Sequence, residues 1–154
     1  MIDPPKLVQS TATPTAVIHL VIPRSQIQQV MGPAIQEVMA AVAAQGLAPT
    51  GPWFTRHFRI TADAFDFEVS VPVARPVTPT GRVRPSELPA VSAALTVYRG
   101  AYEGLGAAWG EFKGWIAAQG LKPATWIWEV YLTDPAANPD PTSWRTELNQ
   151  PLEG

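Results

Sequence analysis

Three glutamates lie on stretches whose alternation reads as strand: Glu68 in Phe65-Asp-Phe-Glu-Val69, Glu129 in Trp128-Glu-Val-Tyr131 and Glu147 in Trp144-Arg-Thr-Glu-Leu148. A carboxylate held among aromatic rings suits a cation. Burial penalises its charge unless a positive partner compensates, and ring faces add about 0.5–2 kcal/mol for a cationic ligand. Tyr98, Tyr131 and Trp53 are the candidate rings. Glu129 and Tyr131 stand two residues apart, hence on one side of a strand. His57 is a further polar candidate for ligand contact, whereas His19, on an apolar strand, reads as a hydrogen-bonded structural residue.

Other chemistries lack their signatures. The chain has no cysteine and only two histidines, so thiol nucleophiles, disulfides and thiolate metal sites are excluded and no metal or cofactor is expected. There is no Gly-x-Ser-x-Gly elbow, P-loop or histidine-pair zinc motif. Gly104-Leu-Gly-Ala-Ala-Trp-Gly110 misses the dinucleotide spacing by one residue. The net charge of −2, with 46% apolar and 16% charged residues, fits a compact soluble protein and argues against direct nucleic-acid binding. No apolar run approaches the roughly 20 residues that cross a bilayer, and no signal-peptide core is present, so a cytoplasmic location is expected.

The elements that must position these residues come as one unit written twice. Val42-Ala-Ala-Gln-Gly-Leu-Ala-Pro49 recurs as Ile116-Ala-Ala-Gln-Gly-Leu-Lys-Pro123, six of eight residues identical at an offset of 74. Phe65–Val73 aligns with Trp144–Leu152 at an offset of 79, keeping Glu68/Glu147 and Pro72/Pro151. The extra residues fall in the loop Pro135–Pro141. Each copy reads strand-helix-strand-strand. In the first, Val17–Ile22 is a strand and Ser25-Gln-Ile-Gln28 has capping-box spacing; Pro33 is expected at the first position of the main helical segment, and Gly46 at its left-handed cap. In the second, Leu95–Arg99 is a strand, and Leu105, Trp109, Phe112 and Ile116 form a helical stripe ending at Gly120. Gly106, Gly110 and Gly114 line the flank of that helix, where close backbone packing is the expected reason for them.

The expected architecture is α+β: tandem strand-helix-strand-strand repeats with pseudo-twofold symmetry, forming an antiparallel sheet with helices on one face and a cleft on the other. Residues 1–15 read as a mobile arm, the repeats span about 16–73 and 92–152, and a Pro-rich connection, 74–91, joins them. Alternation sends Trp126, Trp128, Val130 and Leu132 toward the helices and Glu129 and Tyr131 to the open face. Glu68, Glu147, Trp53, Thr55 and His57 are expected on that open face, with Phe54 and Phe58 in the core. A one-residue register slip would reverse each assignment.

Leu95-Thr-Val-Tyr-Arg-Gly-Ala-Tyr-Glu-Gly-Leu-Gly106, Trp128-Glu-Val-Tyr-Leu-Thr-Asp-Pro135 and Trp144-Arg-Thr-Glu-Leu148 with Pro151 resemble the gyrase-inhibitor-like (GyrI-like) effector-binding family, as a stand-alone member. Phe65-Asp-Phe-Glu-Val69 and Pro72-Val73 also fit its pattern. The resemblance implies a small-molecule cleft between the repeats. It also implies multidrug recognition of cationic aromatic ligands through a central glutamate, with Glu129 and Glu147 ligand-facing and Tyr98 and Tyr131 nearby. Where many members carry tyrosine this chain has His57. Two alternatives follow from the same resemblance: hydrolysis of cyclopropanoid cytotoxins by a pocket glutamate and tyrosine, with Glu129 and Tyr131 the candidates for activating water or protonating the substrate, and an inhibitory protein-interaction module acting on DNA gyrase.

Overall fold

The computed structural model describes residues 2–61, 63–133 and 137–153, apart from the side chains of Gln28 and Ile60. The chain divides into two compact units, Thr11–Ala90 and Met1–Ser10 with Val91–Gly154. Each is an antiparallel sheet with one long helix, so the architecture is α+β.

In the first unit β2 (Thr13–Pro23) is followed by a 3-10 turn, α1 (Ile27–Ala44), β3 (Phe54–Ile60) and β4 (Ala64–Pro72). β4 pairs with both β2 and β3. α1 begins earlier than the proline signal suggests. Its apolar stripe continues upstream of Pro33 through Met31 and Ile27, which pack on the same core as Val38 and Val42, and this burial carries the helix across a proline that has no N–H to donate. Ser25 falls inside the 3-10 turn, and the helix start has no side-chain cap. The C-terminus is as expected: Gly46, at φ 72°, reverses the chain after the last turn. Ile18, Phe67, Val69 and Val71 of the sheet meet Ala34, Val38 and Val42 of the helix in a closed core.

The second unit repeats the order with β6 (Ser92–Arg99), α2 (Leu105–Ala118), β7 (Ile127–Tyr131) and β8 (Arg145–Pro151), β8 pairing with both β6 and β7. Trp109, Phe112 and Ile116 face inward from α2 onto Ala94, Tyr98 and Leu148, as the stripe predicts, and Gly120 at φ 71° ends the segment. Full burial of side chains of this size is worth about 1.5–3 kcal/mol each, which holds a helix with three interior glycines in place. Close packing does not explain those glycines: a Cβ at Gly106, Gly110 or Gly114 would meet nothing within 4 Å.

Two segments expected outside the sheets are strands. The N-terminal stretch read as an arm contains β1 (Lys6–Gln9), which pairs with β6, and Asp3 accepts from the Arg99 guanidinium at 3.2 Å. The Pro-rich connection contains β5 (Arg84–Leu88), which pairs with β2, and it buries Val77 and Val83 in the first core. Backbone donors on β6 and β2 need partners that a composition rich in proline does not advertise. The loop expected to hold the repeat's extra residues begins at Pro135 and Ala136, outside the described residues; within it, Asp140 accepts from Thr142 N at 3.1 Å.

Candidate functional site

The face on which each candidate lies follows from ladder register. Glu129 is opposite Leu148 and Tyr131 opposite Thr146, while Val130 is opposite Glu147 and Trp128 opposite Asn149. Directly paired residues share a face, and Leu148 belongs to the core under α2. Glu129 and Tyr131 therefore lie on the α2 side of the sheet and Glu147 on the other. This reverses the expected orientation of β7. Ile127, Trp128 and Glu129 are all buried, so both faces of this strand are covered and Trp128 does not mark the helix side. Trp126 and Trp128 instead stack on each other, centroids 5.5 Å apart.

Around Glu129 the geometry is specific. Glu129 is 8% exposed. Its Oε2 accepts from Trp109 Nε1 at 2.6 Å and its Oε1 from the Tyr131 hydroxyl at 2.7 Å. Both donors are neutral: they orient the group and supply no positive charge. The Tyr131 ring meets Tyr102 edge-on at 6.0 Å, and Tyr102 lies 4.9 Å from Trp144, whose Nε1 donates to the Asn138 carbonyl at 2.7 Å. Tyr102 sits in a 3-10 turn, Tyr102–Gly104, that leads directly into α2. The rings beside it, Tyr131, Tyr102 and Trp144, are half-buried.

The remaining candidates do not join this constellation. Tyr98 shares its face but belongs to the core. Its hydroxyl donates to the Ala101 carbonyl at 2.7 Å, in a space where a Cβ on Gly104 would lie 2.1 Å from the oxygen. Glu147 accepts from Asn149 Nδ2 at 3.0 Å on the opposite face. A shallow recess of about 340 Å3 is lined by Asp3, Pro4, Lys6, Leu95, Thr96 and Val97 and includes none of the candidate residues.

In the first unit, Trp53 packs half-buried against the core. His57, 5% exposed, stacks on Phe67 at 5.1 Å, and its Nε2 lies 3.0 Å from Thr55 Oγ1. Thr55 and His57 pair with Val69 and Phe67, so they face α1, again opposite to the expectation, while Phe54 faces away beside Ser70. Phe58 falls at the irregularity between His57 and Arg59. Glu68 faces away from α1, as expected, between Arg56 and His19. Burial raises its pKa, and Arg56 and His19 partly counter this while Asp66 adds to it. Burial likewise lowers the Arg56 pKa, with Glu68 opposing.

Sequence reasoning placed Trp109 in the core without its hydrogen bond and passed over Tyr102, Trp144 and Thr55 as site residues. One signal was available: the offset of 74 carries Thr55 and His57 onto Glu129 and Tyr131. Their ladder partners Val69 and Phe67 map onto Leu148 and Thr146 at the offset of 79.

Among the described residues no helix is long and apolar enough to cross a membrane, and no group of three or more His, Asp or Glu is placed to hold a metal ion. A tandem α+β fold with a buried, neutral-donor-bound carboxylate beside aromatic rings describes a ligand-binding domain in general terms. The chain belongs to the GyrI-like family, whose model, the GyrI-like small molecule binding domain, matches residues 3–153. No curated protein matches it by sequence. Among solved structures, the EcmrR C-terminal domain is similar over 97% of both chains, with a TM-score of 0.86 at 22% identity. Against EcmrR in its DNA complex the same 97% of this chain spans 57% of that one. SAV2435 bound to tetraphenylphosphonium superposes with a TM-score of 0.72 at 12% identity, covering 99% of this chain and 95% of that one. A hydrolase from Listeria innocua superposes at 0.70 and 14% identity, covering 97% and 91%.

Proposed function

We propose that this domain captures or senses a hydrophobic organic cation at Glu129, with Tyr131, Tyr102 and Trp144 supplying aromatic contact. The observation that carries the reading is the buried Glu129, 8% exposed, its carboxylate oriented by Trp109 and Tyr131 beside half-buried aromatic rings. A cationic ligand compensates the desolvation of such a group, which a neutral isostere does not. The bound tetraphenylphosphonium of SAV2435 supports the same ligand class. In this reading the domain contacts no nucleic acid itself and works in the cytoplasm. Glu147 and Tyr98 stand outside the proposed contact set. Trp53, His57 and Glu68 are tested by substitution in their own unit.

Titration with tetraphenylphosphonium, followed by intrinsic tryptophan fluorescence, tests this. Saturable binding that Glu129→Gln weakens by about tenfold or more is expected, since one lost charge-compensating contact is worth about 1.4 kcal/mol or more. No binding, or equal affinity in the variant, sinks the reading.

A second reading, hydrolysis, is favoured by one observation: Tyr131 donates to Glu129 at 2.7 Å, an arrangement in which a carboxylate and a phenol share a proton path. Two similar solved structures are of a Listeria innocua hydrolase, at 14% and 15% identity. Product analysis with a cyclopropanoid electrophile, comparing the parent with Glu129→Gln, separates turnover from stoichiometric capture.

A further inference from the structure

β1 pairs with β6 on one side and ends the strand order on the other. The bond from Ser10 N to Val91 O at 2.9 Å sets the phase of this ladder. Bonding direction alternates along an antiparallel strand, so Lys6 and Val8 turn their backbone groups toward β6, and Leu7 and Gln9 turn theirs outward. The side chain of Leu7 is 59% exposed. An unprotected edge templates another strand, and proteins that keep an edge single blunt it with proline or charge. β5, which pairs only with β2 among the described strands, is blunted in this way by Arg84, Pro85 and Glu87. β1, Lys6-Leu-Val-Gln9, carries one charge and no proline within the strand, with Pro5 just ahead of it.

We infer that β1 is a self-association edge, which pairs antiparallel with β1 of a second copy of this chain about a twofold axis at Leu7. Directly opposed residues share a face, so an axis normal to the sheet at Leu7 sets Leu7 against Leu7, Lys6 against Val8 and Gln9 against Pro5. The two Leu7 residues exchange both backbone bonds. Each Gln9 N–H meets a Pro5 carbonyl, giving about four bonds in all. No like charges are opposed, and the two exposed leucines cover each other. A second copy fits better than an unrelated strand because Pro5, which can only accept, meets the Gln9 donor, and the apolar centre meets itself; the same short segment supplies every counterpart.

The chain contains no cysteine, so a single introduced thiol is unique. Opposed, hydrogen-bonded Cα atoms lie about 5.5 Å apart, within the reach of a disulfide. Mild oxidation of the full chain carrying Leu7→Cys should give a covalent dimer on a non-reducing gel, and Val8→Cys and Gln9→Cys should stay monomeric. Sedimentation of the unmodified chain should show a concentration-dependent monomer–dimer equilibrium. Leu7→Lys should weaken it by about tenfold or more, with the thermal unfolding curve confirming an intact fold. Val21→Lys, at another large exposed apolar side chain, should not change it. A chain that stays monomeric into the hundreds of micromolar overturns the inference, as does crosslinking through Val8→Cys in place of Leu7→Cys.

Discussion

Trp109 on α2 donates its indole N–H to Oε2 of Glu129 on β7 at 2.6 Å, so a helix that fills the core also sets the orientation of a carboxylate buried beneath it. Hydrogen bonds to a charged acceptor contribute about 1.5–3 kcal/mol. Trp109→Phe should keep most of the core contact with Phe112 while losing that bond. The expected result is weaker binding of tetraphenylphosphonium with little change for a neutral aromatic of similar size, measured by calorimetric titration. Equal losses for both ligands would mean that Trp109 acts through packing alone.

Tyr102 touches both Tyr131 and Trp144 from the turn ahead of α2. If its ring contacts the cation, Tyr102→Leu should lower affinity by an amount within the aromatic contribution of about 0.5–2 kcal/mol. The unfolding midpoint should move little, because the residue is only half-buried.

Gly104 and Tyr98 should be coupled. A Cβ at Gly104 would lie 2.1 Å from the Tyr98 hydroxyl oxygen, so Gly104→Ala should destabilise the chain by about 1–3 kcal/mol. Part of that loss should return in the Gly104→Ala, Tyr98→Phe double variant, read as a coupling energy from denaturant unfolding. Additive losses would show that the backbone, and not the hydroxyl, excludes the methyl group.

At Gly110 the opposite sign is expected. Its Cβ direction is open, and an interior helical glycine costs about 1 kcal/mol relative to alanine, so Gly110→Ala should stabilise the chain by about that amount. A loss of stability would mean that something covers this side of α2.

Glu68 makes stability depend on pH. Burial raises its folded pKa, so between the ordinary carboxylate range and the raised value the folded chain binds more protons than the unfolded one. The slope of unfolding free energy with pH is then negative: the Glu68 contribution is present below the unfolded pKa and is lost as pH rises through the folded pKa. Chemical denaturation across that window should show the decline in the parent and a flatter profile in Glu68→Gln.

Much of the fold was legible because its determinants are local. The stripe Trp109, Phe112, Ile116 specifies one face of α2, and Gly46 and Gly120 stop the helices where a left-handed residue is needed. β1 and β5 were not legible, since an edge strand is required by the unpaired backbone of its neighbour and not by its own composition.

Of the site, residue types and alternation singled out Glu129 and Tyr131, but together with Glu68, Glu147, Tyr98, Trp53 and His57. Alternation could not tell which side of β7 meets α2: Ile127 and Trp128 are both buried, and only the pairing of Glu129 with Leu148 decides it. That one register separates Glu129 from Glu147, draws Trp109 onto the carboxylate and leaves Tyr98 in the core. The chain by itself determined the period of each element and the chemistry available on it. The face each strand presents was decided in the tertiary structure, because a strand buried on both sides carries no internal preference, and the neighbouring strand's hydrogen-bond register supplies it.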